Sequence, residues 1–226
     1  MLYTEESVRA GVRNREGKRV FPLAEGDRLT PSAQDWLRSE GIAVVKPGQG
    51  GYTTLFGGEF TEKPEELTHL YGNVLVPKTH PRIAFRGMID LVEAEILLCQ
   101  AQCPQSLNQP LQEMLDYVRS LIRCDVLNEP AREAVLCGLN AAQLREHSHH
   151  PEKYYGQPHF MPSREDKPEL LRLNLLRTRI RQAELACCSA FADREGKSTR
   201  PDMVQALNRL SSLCWILMIR CKAGKL

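Results

Sequence analysis

Residues 201–222 read PDMVQALNRLSSLCWILMIRCK, and this stretch predicts a long, deeply buried helix. Pro201 suits a helix start, because the first N–H groups of a helix have no intrahelical partner. From Leu213 onward, apolar residues lie on nearly every side of the helix, which is typical of a core position. Asn208 and Trp215 share one face of this helix, so Asn208 should have a defined polar partner.

Helical periodicity also precedes this segment. Apolar residues at three-and-four spacing predict helices over 80–102, 107–128 and about 167–193, and one or two short helices broken near Gly138 over 130–150. Long helices with short connections favour an up-and-down bundle, so the fold class expected for this part of the chain is all-α.

The first sixty residues have a different character. Residues 18–24 and 42–45 read as short strands, and between them Thr30 is placed to cap a helix that ends near Gly41. The glycine-rich residues 46–60 read as a loop. We therefore predict a small strand–helix–strand appendage with its loop over residues 1–60, and the helical domain over residues 61–226.

Composition excludes several classes of partner. In the 226 residues, Lys plus Arg (30) nearly balances Asp plus Glu (28), and the net charge is +2. This balance gives no general attraction to nucleic acid or anionic membranes, so phosphate binding must be local. The longest apolar run, 213–219, is shorter than the ~20 residues of a membrane span, and the charged first residues do not resemble a signal peptide. The expected location is the cytoplasm.

The eight cysteines lie mostly in apolar, helical stretches. This placement is typical of reduced cysteines used as small core residues, and none forms a C-x-x-C pair of the zinc type. The HSHH sequence at 147–150 has no carboxylate or cysteine partner close in sequence and is expected to be a solvated loop. We expect no metal held by protein cysteines or histidines.

Residues 175–184, LLRTRIRQAE, place charges inside a core-like helix. At about 100° per residue, Arg177, Arg181 and Glu184 fall within one arc of roughly 60°, whereas Arg179 points elsewhere.

Two interpretations of this arc stay open. With Asp90 and Asn208, the charges could form a buried polar network that fixes helix register. Alternatively, Arg177 and Arg181 bind phosphates while the acidic groups orient them.

Three motifs carry a family resemblance. Residues 175–184, ALNRLSS at 206–212 and KTHPRIAFRGMID at 78–90 resemble the R-x-x-x-R-R-A-E, N-R-L-S-D and K-x-x-P-R-I-x-x-x-G-x-x-D patterns of the PduO-type ATP:cob(I)alamin adenosyltransferases. LTPSA, LTHL, NLLRT and RPD are similar to the ethanolamine-utilisation (EutT) members. Three motifs in the family's order are more specific than any one of them.

The resemblance implies a five-helix bundle that assembles as a homotrimer with active sites between subunits. The reaction it implies transfers the 5′-deoxyadenosyl group of ATP to cob(I)alamin, releases triphosphate and supports ethanolamine ammonia-lyase. ATP, Mg²⁺ and cobalamin are the implied ligands. An alternative is a protein that binds and delivers adenosylcobalamin with little turnover.

Residue roles follow from the matched motifs. The resemblance implies that Asp90 pairs with Arg177 and that Arg181 contacts the triphosphate. Glu184 and Asn208 would orient ATP or its Mg²⁺.

The remaining implied contacts lie outside the arc. Lys78 would lie near the phosphates, and Phe160, or else Met161, would displace the lower axial ligand of the corrin. Residues 48–59, with Thr53 and Thr54, resemble the family's ATP loop, and a flexible linker is the alternative.

The sequence departs from the family at several positions. Gln182 and Ser212 replace an arginine and an aspartate of the two C-terminal motifs, and the H-x11-C-C-x-x-C metal motif of some EutT proteins is absent. Residues 1–50 have no counterpart in the PduO types. They could dock partners such as microcompartment shell proteins, or they could be a stabilising appendage.

Overall fold

The computed structural model describes residues 2–15, 18–24, 26–45, 51–55, 57–60 and 62–226. The chain forms two compact units, residues 1–78 and 79–226. The break between them falls later than the boundary predicted after residue 60.

The first part of the N-terminal unit contains the predicted strand–helix–strand motif. Its elements are β1 (Leu2–Tyr3), α1 (Glu5–Gly11), β2 (Arg13–Arg15), β3 (Lys18–Pro22), β4 (Arg28–Leu29), α2 (Pro31–Ser39) and β5 (Ala43–Val45). β3 and β5 pair in parallel on either side of α2 in sequence. The Thr30 hydroxyl accepts a hydrogen bond from the Ala33 N–H over 3.3 Å, which confirms the predicted cap.

A four-stranded sheet follows, and the expectation of a loop over 46–60 is wrong at residues 52–54 and 59–60, which form strands. The strands are β6 (Tyr52–Thr54), β7 (Glu59–Phe60), β8 (Leu67–Tyr71) and β9 (Val74–Pro77), in the order β7-β6-β9-β8. Aromatic and β-branched residues at 52–54 favour a strand, and Gly57, with φ of 86°, allows the tight return to β7. Residues 46–50 and 56 lie outside the described part of the chain.

The second unit is mainly helical. Its elements are α3 (Pro81–Gln102), a 3-10 turn (Gln105–Leu107), α4 (Asn108–Leu127), β10 (Val135–Leu136), β11 (Leu139–Asn140), α5 (Ala141–His149), α6 (Pro151–Tyr155), α7 (Pro168–Ala190) and α8 (Pro201–Lys222). The helix predicted over 201–222 is confirmed at both ends.

Helix packing in this unit centres on α7, which packs against both α3 and α8. α4 also packs against α3, and α5 packs on α8. Leu173, Ile180 and Leu217 are completely buried where these helices meet. The helical character of this unit is confirmed, whereas all-α is too narrow a class, because small sheets occur in both units.

The segment predicted as a broken helix over 130–150 begins with a β-hairpin. β10 and β11 pair antiparallel around Cys137 and Gly138, whose φ angles are 51° and 74°. Two consecutive positive φ angles make a two-residue hairpin turn, whereas glycine had suggested only a helix break. The helix that follows is α5, and Asn140 caps it.

A buried ionic cluster joins α3 to α4. Asp125 is completely buried and accepts hydrogen bonds from Arg82 Nη2 at 2.6 Å and from Arg86 Nε at 2.6 Å. The partners lie about forty residues apart in the chain, so helical spacing gave no signal for this cluster.

The cysteines are all free, and five are buried. This confirms the prediction of reduced thiols in the core. Among the described residues, no helix combines the length and apolar composition needed to cross a membrane.

Candidate functional site

A groove of about 330 Å³ opens along α7 and α8 in the helical unit. Its walls also include the end of α5 and the segment before α7. The lining residues are Ser148, His149, His159, Arg177, Arg181, Asn208, Ser211, Ser212 and Trp215. The structure thus brings together four residues that the sequence placed on two separate helix faces: Arg177, Arg181, Asn208 and Trp215.

The groove is positively charged. Arg177 is half-buried and Arg181 is exposed, one helical turn apart on α7. Among the described residues that line the groove, none is a carboxylate. Burial, together with the Arg181 charge, lowers the pKa of Arg177. A bound anion would relieve the repulsion between these two guanidinium groups.

Asn208 has the defined partner that its position predicts. Its Nδ2 donates a hydrogen bond to Oε1 of Glu184 over 3.0 Å, which links α8 to α7. On the other side of the amide, Arg209 Nη1 donates to Asn208 Oδ1 over 2.6 Å. Glu184 therefore lies directly behind the groove wall.

Trp215 organises an aromatic cluster at the groove. The Arg177 guanidinium lies 5.2 Å from the Trp215 ring centroid. The Phe160 and His159 rings stack on Trp215 with centroid distances of 5.1 and 5.7 Å. The sequence placed Trp215 on the Asn208 face but assigned it no role. These ring contacts depend on the fold of a distant loop, which helical phase could not foresee.

The loop at 156–167, which carries Phe160, is held by the C-terminal end of the chain. Lys222 forms an ion pair with Asp166, and its Nζ lies 5.4 Å from the Phe160 ring centroid. At the other end, Lys225 Nζ donates to the Tyr155 carbonyl oxygen over 2.7 Å. Phe160 is thereby kept half-buried, while the side chain of the adjacent Met161 is 88% exposed.

Asp90 lies outside this groove. It is exposed on α3, and the ion pairs among the described residues do not join it to Arg177. Its pairing with Arg177 stays a prediction.

The predicted ATP-loop residues belong to the N-terminal unit. Thr53 and Thr54 lie in β6, and the Thr54 hydroxyl accepts a hydrogen bond from the Gly58 N–H over 3.0 Å. Lys78 lies 3.9 Å from a carboxylate oxygen of Glu65. Their contacts with ATP stay predictions.

The two departures from the family motifs have clear positions. Gln182 is exposed and accepts a hydrogen bond from Arg179 Nη1 over 3.0 Å, outside the groove lining. Ser212 lines the groove and donates to the Asn208 carbonyl oxygen over 3.1 Å.

The HSHH segment is not a solvated loop. Its first three residues end α5, where Ser148 is buried and His149 lines the groove. The reason is tertiary packing, since His147 stacks on Tyr154 and its Nδ1 lies 2.8 Å from the Tyr155 hydroxyl. Within the described part of the chain, no cluster of three or more His, Cys, Asp or Glu residues is arranged to hold a metal ion.

Comparison with known proteins relates this chain to a family. The family model of cobalamin adenosyltransferase matches residues 61–221. Corrinoid adenosyltransferase EutT of Salmonella typhimurium is 31% identical over 246 residues, which cover 96% of this chain and 90% of that protein. The Escherichia coli EutT is 29% identical over 242 residues, with the same coverage.

Solved structures show the same fold. A variant of a PduO-type ATP:corrinoid adenosyltransferase from Lactobacillus reuteri, complexed with cobalamin and ATP, aligns with a TM-score of 0.54 at 18% identity. The alignment covers 71% of this chain and 87% of that chain. The likeness shows the fold, and the family match over residues 61–221 together with the EutT relatives establishes that the chain belongs to the cobalamin adenosyltransferase family.

Proposed function

We propose that this chain is an ATP:cob(I)alamin adenosyltransferase whose active site includes the groove along α7 and α8. The observation that carries the proposal is the groove itself. In a chain of this family, it combines two arginines, a linked Asn208–Glu184 pair and an aromatic cluster. Cobalt(I) attacks the 5′ carbon of ATP, so that a cobalt–carbon bond forms as the bond from C5′ to the triphosphate oxygen breaks.

Arg177 and Arg181 would supply the positive charge that stabilises the triphosphate. The leaving group gains negative charge as the C5′–O bond breaks, and guanidinium groups already in place stabilise that charge without reorganising. Arg181 is exposed and has the freer side chain, so it is assigned the direct phosphate contact. Arg177 is held over Trp215 and shapes the groove between the phosphates and the rings.

Glu184 is suited to Mg²⁺ bound with ATP. Mg²⁺ usually takes one or two protein carboxylates and completes its shell with phosphates and water. Glu184 has one oxygen engaged by Asn208, while its second oxygen is not used by that contact. The metal would add positive charge beside the phosphates.

The aromatic cluster would face the corrin. Displacing the lower axial ligand of cobalt makes cobalt(II) easier to reduce, and apolar groups favour this by excluding water and nitrogen ligands. Phe160, stacked on Trp215, is the assigned residue. Met161 is the second candidate, because its exposed side chain follows Phe160 in the same loop.

A homotrimer with active sites between subunits would explain the exposed Asp90. We assign its partner as Arg177 of a neighbouring subunit, since Arg177 has no carboxylate partner among the described residues of its own chain. Lys78, Thr53 and Thr54 would contact ATP.

The cellular role follows from the EutT relatives. The product would supply ethanolamine ammonia-lyase in the cytoplasm or within a microcompartment, and residues 1–50 would be the segment available for docking to shell proteins.

The decisive experiment is a spectral assay. Protein, cob(I)alamin and MgATP should convert the spectrum of the reduced corrin to that of adenosylcobalamin, with one triphosphate formed per turnover. A folded protein that gave no conversion would refute the proposal. Tight adenosylcobalamin binding with turnover at the uncatalysed rate would instead identify a delivery protein.

A further inference from the structure

Arg209 is a buried arginine beside the groove to which no role has been given. It is only 7% exposed, yet it makes no ion pair with a carboxylate among the described residues. Its Nε has no hydrogen-bond partner in that part of the chain. Burial and the nearby Arg145 charge lower the pKa of Arg209, whereas the Glu184 charge acts to raise it. An arginine held in such surroundings is costly, so it calls for an explanation beyond packing.

The contact between Arg209 and Asn208 fixes the direction of the Asn208 amide. A guanidinium can only donate, so the amide atom 2.6 Å from Arg209 must be the oxygen. An ionised carboxylate can only accept, so the atom 3.0 Å from Glu184 must be the nitrogen. Both neighbours therefore require the same orientation, and a flipped amide would face repulsion at each end.

We propose that Arg209 is a positioning residue for adenosyl transfer. By binding the amide oxygen of Asn208, it turns the amide N–H groups toward Glu184 and the groove. Asn208 then donates to a phosphate oxygen of ATP and does not serve as a Mg²⁺ ligand through its oxygen. This inference rests on the proposed function and assigns a chemical role within that site.

A double-mutant cycle tests whether Arg209 acts through Asn208. Arg209→Met and Asn208→Ala should each raise the ATP concentration for half-maximal rate about tenfold, the expected effect of one charge-assisted hydrogen bond. The double variant should be no worse than Asn208→Ala alone, because Arg209 acts on ATP only through the Asn208 amide. Arg220→Met, the same substitution on the same helix, is the matched control and should keep the wild-type ATP response.

Asn208→Asp gives a second test that does not depend on the folding of an Arg209 variant. A carboxylate would face Glu184 and the phosphates, so this variant should be less active than Asn208→Ala. An active Asn208→Asp enzyme that reaches half-maximal rate at a lower Mg²⁺ concentration would overturn the proposal. The side-chain oxygen at position 208 would then be the functional atom.

Other outcomes separate this inference from the function on which it rests. If Arg209→Met lowers only the unfolding midpoint and keeps the wild-type ATP response, Arg209 is structural and the inference fails while the enzyme stands. Additive effects in the cycle lead to the same conclusion. A wild-type protein without adenosyltransferase activity would refute both the proposed function and the role of Arg209.

Discussion

The Arg177 guanidinium lies over the Trp215 ring, and the charges that act on it from the described part of its own chain do not include a carboxylate. Asp90, on the helix packed beside α7, is exposed. The Asp90 carboxylate and the Arg177 guanidinium do not pair within one chain, but they can pair across a subunit interface.

The first prediction is therefore a charge exchange. Asp90→Arg and Arg177→Asp should each place like charges together at the proposed interface, weaken the proposed trimer and lower the rate of adenosylation. The double variant should recover assembly, because the pair is restored with its polarity reversed. Sedimentation velocity and the spectral assay measure the two effects. Single variants that keep the native mass and rate would rule out the pairing.

Arg181 should be needed for catalysis but not for stability. Arg181→Ala should lower kcat/KM for ATP about 10- to 100-fold, because it removes a charge-assisted phosphate contact. The free energy of unfolding should change by less than about 0.5 kcal/mol, since the side chain is exposed. Arg172→Ala, on the same helix and away from the groove, is the matched control. A rate equal to that of the control would contradict the assignment.

Phe160 and Met161 can be distinguished by the corrin spectrum. Phe160→Ala should leave the lower ligand on more of the bound cob(II)alamin and slow its reduction, because the ring that packs on Trp215 is lost. Met161→Ala should keep the wild-type spectrum. Electron paramagnetic resonance of the bound corrin with ATP reads the ligand directly, and the reverse pattern would assign the role to Met161.

Because of Asp202, the free energy of unfolding should depend on pH in the acid range. Burial opposes ionisation, but hydrogen bonds from Arg200 and from the Ala131 N–H lower the pKa of Asp202 from 3.8 to about 2. Its stabilising contribution is thus present above about pH 4 and is lost as the pH falls through about 2.

Asp202→Asn should be less stable than the wild type at pH 5, and the difference should shrink toward pH 2. Urea unfolding at several pH values measures this change. Glu165→Gln, which alters an exposed ion pair, is the control and should show little pH-dependent difference. A stability difference that is constant with pH would refute the linkage.

Removing Asp125 should cost far more stability than removing a surface carboxylate. Asp125→Ala leaves Arg82 and Arg86 without the buried charge they bind, and it should lower the free energy of unfolding by about 3–5 kcal/mol. Asp116→Ala, at an exposed position of the same helix, is the control. Urea unfolding measures both, and a loss below about 1 kcal/mol for Asp125→Ala would contradict the role of the cluster.

The sequence predicted features that depend on local chemistry. Pro201 and the apolar pattern after it set both ends of α8, and Thr30 marked the start of α2. Helical phase also separated Arg177 and Arg181 from Arg179, and the groove contains only the first two. Each of these results needs only the periodicity of one element.

Features that depend on residues far apart in the chain could not be predicted from the sequence. The Asp125 cluster joins residues about forty positions apart, and the stacking of Phe160 on Trp215 needs the whole 156–167 loop in place. The β10–β11 hairpin was missed because Cys137 does not resemble the Asn or Asp usual before glycine in such turns. Tertiary contacts determine these features, and such contacts produce no periodic pattern of residues in the sequence.

One rigid helix sets the spacing of the proposed active site. Asn208, on the phosphate side, and Lys222, which fastens the loop of Phe160, are both on α8, about 20 Å apart at 1.5 Å per residue. The distance between the nucleotide side and the corrin side of the proposed site is therefore set by this one helix. Inserting one residue into α8 between them would rotate Lys222 by about 100° relative to Asn208 and misalign the two substrates, even where every contacting side chain is kept.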